Sequence, residues 1–174
     1  IMSVIRRYPP FVVGDGKTTI ADLIDMENVQ RQKMELLPVI HTISKNRDTQ
    51  RFLRKQQLSL ASVPKQGKKV YLHNKIALAP GGVVETIDRD TVSPENRKLF
   101  LKILDSFNAN IFGIDVIFEK GIEFDPDQQK CIFLELNSRP YLKMHHFPRY
   151  GKKPELDSYF TKLNSIELSD AGVF

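Results

Sequence analysis

The sequence contains no tryptophan, a single cysteine at Cys131 and no long apolar segment. One cysteine cannot form an internal disulfide, and no cysteine–histidine cluster offers a structural zinc site. A reducing cytoplasm is therefore the expected compartment. A membrane-spanning helix needs about 20 consecutive apolar residues, and no stretch approaches that length. These absences argue against a disulfide-stabilised secreted domain and against an integral membrane protein.

The composition that remains is that of an ordinary globular protein. Of 174 residues, 41% are hydrophobic and 27% are charged, close to the average for globular domains. At about 150 residues per domain, this length predicts one domain. The excess of basic residues gives a formal net charge of +5, which suits an anionic partner such as polyphosphate, nucleic acid or an acidic peptide.

The hydrophobic pattern predicts an α+β protein. Thr18 or Thr19 can cap a helix that starts at Ile20, and Ser93 followed by Pro94 is typical of a second helix start. A last helix is expected around Ser158 to Leu163. Short apolar runs between turn residues predict strands at Val4-Ile5, Phe11–Val13, Val70–Leu72, Val83-Val84, Ile111–Phe118 and Cys131–Leu136.

The two longest of these runs, Ile111–Phe118 and Cys131–Leu136, predict an antiparallel hairpin that is buried on both faces. Each run contains one acid, Asp115 in the first and Glu135 in the second. Burying an unpaired carboxylate is costly, so such acids are usually neutralised by a cation or a basic side chain.

Glu135 and Asn137 are two positions apart and therefore project from the same face of a strand. If the runs pair, Asp115 can lie opposite them. Two carboxylates and an amide oxygen suit Mg²⁺ that bridges substrate phosphates. The alternative is that each acid pairs with a buried Arg or Lys, and the pattern alone leaves both interpretations open.

The segments Gly113-Ile114-Asp115 and Leu134-Glu135-Leu136-Asn137 resemble the magnesium-binding hairpin of the ATP-grasp carboxylate–amine ligases. Further segments, in the same order along the chain, resemble the cyanophycin synthetase and bifunctional glutathione synthetase branch: Arg6–Pro9, Val13–Lys17, Thr19–Ile24, Val70–Leu72, Gly81-Gly82 and Lys143–His145. The resemblance extends from about residue 3 to residue 153. It implies an α+β ATP-grasp C-terminal subdomain over residues 1–174, with a mixed, mainly antiparallel sheet, helices packed on one face and a helical insertion at about 18–64.

The resemblance also implies an activity. The expected reaction is ATP- and Mg²⁺-dependent formation of an amide or peptide-like bond between a carboxylate and an amine, through an acyl phosphate. The implied ligands are ATP, one or two Mg²⁺ ions with Mn²⁺ as an alternative, and small-molecule or peptide substrates. The remainder of a parent chain or a second copy is the expected protein partner, and neither membrane nor nucleic acid is expected. The alternative function is a non-catalytic, degenerate ATP-grasp module that binds nucleotide or a partner protein.

The resemblance assigns metal-binding and nucleotide-binding roles to residues at matching positions of this sequence. Asp115, Glu135 and Asn137 match the family's metal ligands, and Glu135 and Asn137 also face the nucleotide through the metal. Arg7 matches an arginine that faces the triphosphate. Lys75 lies where relatives carry basic residues against the transferred phosphate. The resemblance therefore implies catalytic and nucleotide-binding roles for Arg7 and Lys75.

Substrate roles fall on other segments. Gly81 and Gly82 match the flexible turn beside the acyl-phosphate site. Arg139 and Lys143 lie just past the metal hairpin, where relatives contact the acceptor or its carboxylate. We therefore expect Gly81, Gly82, Arg139 and Lys143 to bind substrate, and Arg139 to act in catalysis as well.

The sequence departs from the family pattern in two ways. Ala77 stands where relatives carry an asparagine, so the phosphate contacts or the acceptor preference there are expected to differ. The preceding half of the grasp, with its phosphate-binding lysines and adenine-hinge acid, is not found before Ile1. We therefore expect the isolated chain to bind ATP weakly and to show no turnover.

Three other motifs are interpreted as structural. His145 and His146 are adjacent and would point to opposite faces of a strand, so loop packing is favoured over metal ligation. Gly14-Asp15-Gly16 lacks the third glycine of a dinucleotide fingerprint and is expected to be a plain turn. The basic run from Lys45 to Lys55 is expected to be a solvated helix face rather than an RNA-binding surface.

Overall fold

The computed structural model describes residues 1–165, and the last nine residues of the predicted subdomain 1–174 lie outside the described residues. The described part contains six strands, β1 Val4–Tyr8, β2 Phe11–Val13, β3 Lys69–Tyr71, β4 Val83–Ile87, β5 Gly113–Phe118 and β6 Cys131–Asn137. Its four α-helices are α1 Ile20–Lys33, α2 Arg47–Lys55, α3 Pro94–Ser106 and α4 Asp157–Asn164. The predicted α+β class is thereby confirmed.

The chain forms two compact units. Unit 1 comprises Ile1–Val4, Ile87–Leu142 and the segment that begins at Pro154. Unit 2 comprises Ile5–Thr86 and Lys143–Lys153. The assignment of residues 1–174 to one subdomain, with an insertion at about 18–64, stays a prediction. Helices α1 and α2 both lie within that stretch.

The strands pair two by two, as β1 with β4, β2 with β3 and β5 with β6. The β2–β3 and β5–β6 pairs are antiparallel. In residues 1–165, no helix is both long and apolar enough to cross a membrane.

The two predicted helix starts are confirmed by their caps. The Thr19 side chain accepts a hydrogen bond from the Asp22 amide at the start of α1. Ser93 accepts in the same way from the Asn96 amide, with Pro94 in the first turn of α3. Each cap satisfies one of the amides that a helix leaves unpaired at its N-terminus.

Unit 2 has a well-developed core between α1, α2 and the β2–β3 pair. Its main cluster is formed by aliphatic side chains from these elements and the segments next to them: Val12, Ile20, Leu23, Ile24, Ile43, Leu53, Val70 and Leu72. A second cluster of Leu36, Val39, Ile40 and Val84 is contacted by Ile5, Leu78, Met144 and Phe147. Each fully buried Leu or Ile contributes roughly 1.5–3 kcal/mol, so these clusters hold the segments around Leu78 and Met144 firmly in unit 2.

Unit 1 contains the β5–β6 hairpin, and the prediction that it is buried on both faces is wrong. No residue of β5 or β6 is buried, and five consecutive residues of β6, Ile132–Leu136, are exposed. Leu134 is 61% exposed and Ile132 is 56% exposed. The physical reason is that, within the described chain, β5 and β6 pair only with each other, so no flanking strand shields them.

Candidate functional site

The β5–β6 hairpin brings the predicted metal ligands to one face. Asp115 lies directly opposite Glu135, and Gly113 lies opposite Asn137. Directly opposed residues of an antiparallel pair have Cβ atoms about 4.5–5.5 Å apart and point to the same side. Because Glu135 and Asn137 alternate with Leu136, their side chains share that side. The two carboxylates and the amide therefore face one surface.

A β-bulge adjoins this pair. The register shifts between Asp115 and Val116, because Val116 pairs with Phe133 and leaves Leu134 unmatched. Bulges locally increase twist, redirect side chains and are enriched next to active sites. The irregularity directly adjoins the two carboxylates, after Asp115 on β5 and before Glu135 on β6, and it was not visible in the apolar sequence run.

The turn after β6 packs closely on the same hairpin. A Cβ at Gly113 would lie 2.9 Å from Cβ of Pro140 and 3.5 Å from Cβ of Asn137. Only glycine allows Pro140 to approach β5 this closely. Arg139 lies in this turn, exposed to solvent, two residues beyond Asn137.

The donors fit a magnesium ion that also binds substrate oxygens. Glu135 is exposed, and Asp115 and Asn137 are half-buried, so ligands can reach the set. No cluster of three or more His, Cys, Asp or Glu side chains suited to a metal occurs in residues 1–165. Mg²⁺ typically uses one or two carboxylates together with water and phosphate oxygens, which is the donor number that Asp115 and Glu135 supply.

A second group of predicted residues meets in unit 2. The Arg7 guanidinium donates from Nη2 to the Ile76 carbonyl at 3.1 Å. A Cβ at Gly82 would lie 2.2 Å from the Ala77 carbonyl oxygen and 3.3 Å from the Tyr8 carbonyl oxygen. Strand β1, the segment around Ile76 and the glycine turn therefore lie against one another.

The Gly81-Gly82 turn is buried and closely packed. Gly81 has φ of +90°, a left-handed conformation that favours glycine. The Gly81 amide donates to the Leu78 carbonyl and the Gly82 amide donates to the Ala77 carbonyl, both at 2.9 Å. Ala77, the predicted departure from the family pattern, thus closes the turn through its backbone.

Lys75 and Lys143 are exposed side chains on anchored segments of unit 2. The Lys75 amide donates to Nδ1 of His73 at 2.9 Å, which fixes the local backbone. Lys143 lies in the short 3-10 helix Leu142–His146, which Met144 joins to the second hydrophobic cluster. The predicted residues are thus divided between the units: Asp115, Glu135, Asn137 and Arg139 are in unit 1, and Arg7, Lys75, Gly81, Gly82 and Lys143 are in unit 2.

Sequence reasoning did not identify a buried charge cluster next to the glycine turn. Glu27 pairs with Arg31 on α1 and with Arg149, a residue 122 positions later. Burial opposes ionisation of Glu27, but the hydrogen bonds from Arg149 and Arg31 outweigh it and lower the pKa of this carboxyl. The i,i+4 spacing of Glu27 and Arg31 was the available signal, but it does not reveal burial or the third member.

Comparison with known proteins finds relatives whose similarity extends over most of this chain. A scan against protein-family models found no match. The glutathione biosynthesis bifunctional protein of Clostridium perfringens is 30% identical over 155 residues, which is 87% of this chain and 19% of that protein. The cyanophycin synthetase of Crocosphaera subtropica is 32% identical over 159 residues, which is 87% of this chain and 17% of that protein.

A solved structure supports the same relationship. The crystal structure of a bifunctional glutathione synthetase from Pasteurella multocida matches with a TM-score of 0.80 and 25% identity, over 93% of this chain and 22% of that one. The chain thus spans about a fifth of the length of the relatives it matches. Over most of its length, this chain is a homologue of the ATP-grasp ligases of the glutathione synthetase and cyanophycin synthetase type.

Proposed function

We propose that this chain is the metal- and phosphate-binding part of an ATP-dependent carboxylate–amine ligase. In the proposed reaction a substrate carboxylate attacks the γ-phosphate of ATP, giving an acyl phosphate and ADP. An amine then attacks the acyl carbon, forms the amide bond and releases phosphate. Cys131 takes no part in this reaction. The compartment that we propose for the protein is a reducing cytoplasm, where a lone thiol stays reduced.

The observation that carries the proposal is the pairing of Asp115 with Glu135, with Asn137 on the same face. These three side chains would hold Mg²⁺, which when bound neutralises charge on phosphate oxygens and orients them. Asp115 is half-buried and Glu135 is exposed, so Glu135 in particular is accessible from solvent.

Unit 2 carries cationic side chains and a glycine turn of its own, to which the resemblance assigns phosphate and substrate roles. Arg7 and Lys75 carry cationic groups that can stabilise charge on a transferring phosphoryl group. Gly81 and Gly82 present backbone without side chains, which permits close approach of an acyl phosphate. Lys143 of unit 2 is an exposed cation suited to a substrate carboxylate. The same is true, separately, of Arg139, which belongs to unit 1.

The metal site is tested on this chain directly with Mn²⁺, a paramagnetic substitute for Mg²⁺. In ¹⁵N-labelled protein, Mn²⁺ should broaden the amide signals around Asp115, Glu135 and Asn137 first. Glu135→Gln keeps the side-chain volume and removes the charge, so it should weaken Mn²⁺ binding at least about tenfold, since one of two carboxylate ligands is lost. Asp127→Asn, which alters an exposed acid in the loop of the same hairpin, is the matched control and should bind Mn²⁺ like the unmodified chain. Broadening centred elsewhere, or equal effects of the two variants, would refute the site.

The division into a metal side and a substrate side is tested kinetically wherever this chain is part of an active ligase. Glu135→Gln should lower kcat by about 10²–10³-fold, because electrostatic stabilisation of phosphoryl transfer acts in the transition state. Lys143→Met keeps the aliphatic stem and deletes the charge, so it should raise the substrate KM more than it lowers kcat. The opposite pattern, with kcat abolished in Lys143→Met and only KM changed in Glu135→Gln, would show that the two sides are wrongly assigned.

The alternative function is a non-catalytic module that binds nucleotide or a partner. Under this alternative, Mn²⁺ or nucleotide would bind but no turnover would occur, so Glu135→Gln would have no effect on turnover. The Gly82 amide donates to the Ala77 carbonyl at 2.9 Å, a backbone contact that does not depend on the side chain at position 77, so the turn closes despite the departure from the family pattern.

A further inference from the structure

Three charged side chains of unit 2 form a buried cluster with one carboxylate and two guanidinium groups. Glu27 accepts from Arg31 Nε at 2.9 Å, and from Arg149 through both Nε and Nη2 at 2.9 Å. The Arg31 side chain is completely buried, and that of Glu27 is 13% exposed. The cluster joins α1 to a residue from the far end of the chain.

Arg31 also holds the loop that follows α1. Its Nη1 donates to the His41 carbonyl at 2.6 Å. On the same helix, Asn28 makes two hydrogen bonds to the backbone of Ile43. Asn28 Nδ2 donates to the Ile43 carbonyl at 2.9 Å, and the Ile43 amide donates to Asn28 Oδ1 at 2.8 Å. Helix α1 therefore fixes the backbone at both His41 and Ile43.

The glycine turn lies directly against Ile43 and against the Arg31 guanidinium. A Cβ at Gly81 would lie 2.7 Å from Cγ1 of Ile43 and 3.2 Å from Nη1 of Arg31. Nη1 of Arg31 thus occupies the space beside Gly81 that a side chain would need. The guanidinium is held there by Glu27 and, through Glu27, by Arg149.

We propose that Arg31 is a positioning residue that holds the Gly81-Gly82 turn, in which Gly81 is left-handed, with the Glu27–Arg149 pair fixing the Arg31 guanidinium in place. The functional importance of this turn rests on the function proposed above. Arg31 does not reach substrate: it is buried, and its role is exerted through the backbone of the turn.

An arginine is suited to this position for a geometric reason. Its planar fork donates from Nε to Glu27 and from Nη1 to the His41 carbonyl at the same time. A lysine carries one ammonium group on a flexible stem and cannot span both acceptors in the same way. Hydrogen bonds to charged groups contribute more than neutral ones, so losing both should loosen the turn measurably.

The experiment uses the whole chain labelled with ¹⁵N-glycine, which has only nine glycine signals. Amide hydrogen exchange is compared in the unmodified chain, Arg31→Met and Arg31→Lys. In Arg31→Met, exchange at Gly81 and Gly82 should accelerate at least about tenfold, as expected for loss of a charged hydrogen bond. Arg31→Lys should restore part of the protection, because the ion pair with Glu27 can re-form.

Glycines in unit 1, Gly113 and Gly121, serve as internal references and should not change. Arg51→Met, which removes an exposed arginine from α2, is the matched control and should leave all glycine signals unchanged. Unchanged exchange at Gly81 and Gly82 in Arg31→Met, or equal acceleration at every glycine, overturns the proposal.

If Arg31→Met fails to fold, Arg149→Met tests the same cluster from its partly exposed member. It should loosen Gly81 and Gly82 ahead of the reference glycines, and no change there overturns the proposal. The exchange measurement needs no nucleotide or metal. A failed Mn²⁺ experiment would therefore refute the proposed function and leave this result standing, and the reverse holds equally.

Discussion

Replacing Glu27 by Gln should destabilise unit 2 strongly, because this carboxylate is the only anion between two guanidinium groups in the cluster. The change keeps the shape but removes the charge from three hydrogen bonds of 2.9 Å, one from Arg31 and two from Arg149. It also turns one acceptor oxygen into an NH₂ group that faces guanidinium donors. Removing one partner of a buried ion pair costs about 3–5 kcal/mol, and that is the expected loss in the free energy of unfolding.

The same helix offers a matched control. Asp25 pairs with Lys45 at 2.7 Å, but its side chain is 58% exposed and that of Lys45 is 37% exposed. Exposed pairs contribute about 0–1 kcal/mol, so Asp25→Asn should change stability by less than about 1 kcal/mol. Both variants remove one negative charge from α1 and differ chiefly in burial.

The assay is urea unfolding followed by far-UV circular dichroism. The pKa of Glu27 is lowered in the folded chain, so its contribution is present above the ordinary glutamate pKa of about 4.3 and is lost as the pH falls through the lower, folded value. The stability gap between Glu27→Gln and the unmodified chain should therefore narrow in acid. A Glu27→Gln variant no less stable than Asp25→Asn would refute the reasoning, as would a gap that widens on acidification.

Two further predictions concern single residues of unit 2. The Thr18 hydroxyl and the backbone amides of residues 17 and 18 donate hydrogen bonds to Asp15 and lower the pKa of its carboxyl to about 2. Thr18→Val should therefore raise the pKa of Asp15, which NMR titration would measure. An unchanged pKa would contradict the assigned cause. In urea unfolding, Gly82→Ala should destabilise the chain by more than Gly67→Ala. A methyl group at position 82 would lie 2.2 Å from the Ala77 carbonyl oxygen. A methyl group at position 67 would have no neighbour within 4 Å, although Gly67 has a φ of +76°. Left-handed strain alone costs roughly 1–2 kcal/mol, so equal losses would show that the clash at Gly82 relaxes.

Local features of the chain were predictable from short stretches of sequence. The caps at Thr19 and Ser93 depend on a side chain and an amide three residues later, so their residue types are sufficient to predict them. The pairing of β5 with β6 followed from two apolar runs and a polar turn. The shared face of Glu135 and Asn137 followed from the two-residue period of a strand.

Burial of the hairpin was not predictable in this way. The apolar run of β6 suggested a fully buried strand, yet Ile132–Leu136 are exposed. An apolar sequence reports that a segment can be buried, whereas actual burial depends on whether other elements cover it. In the described chain β6 has only β5 as its sheet partner.

Residue types were sufficient to predict the element types, the helix starts and the shared strand face of Glu135 and Asn137, because each depends on side chains a few positions apart. The position of Arg31 beside Gly81 and the pairing of Arg149 with Glu27 are apparent only in the folded chain. These contacts join segments 50 and 122 residues apart. Their stability depends on desolvation and close packing, which arise only when the folded chain brings those segments together.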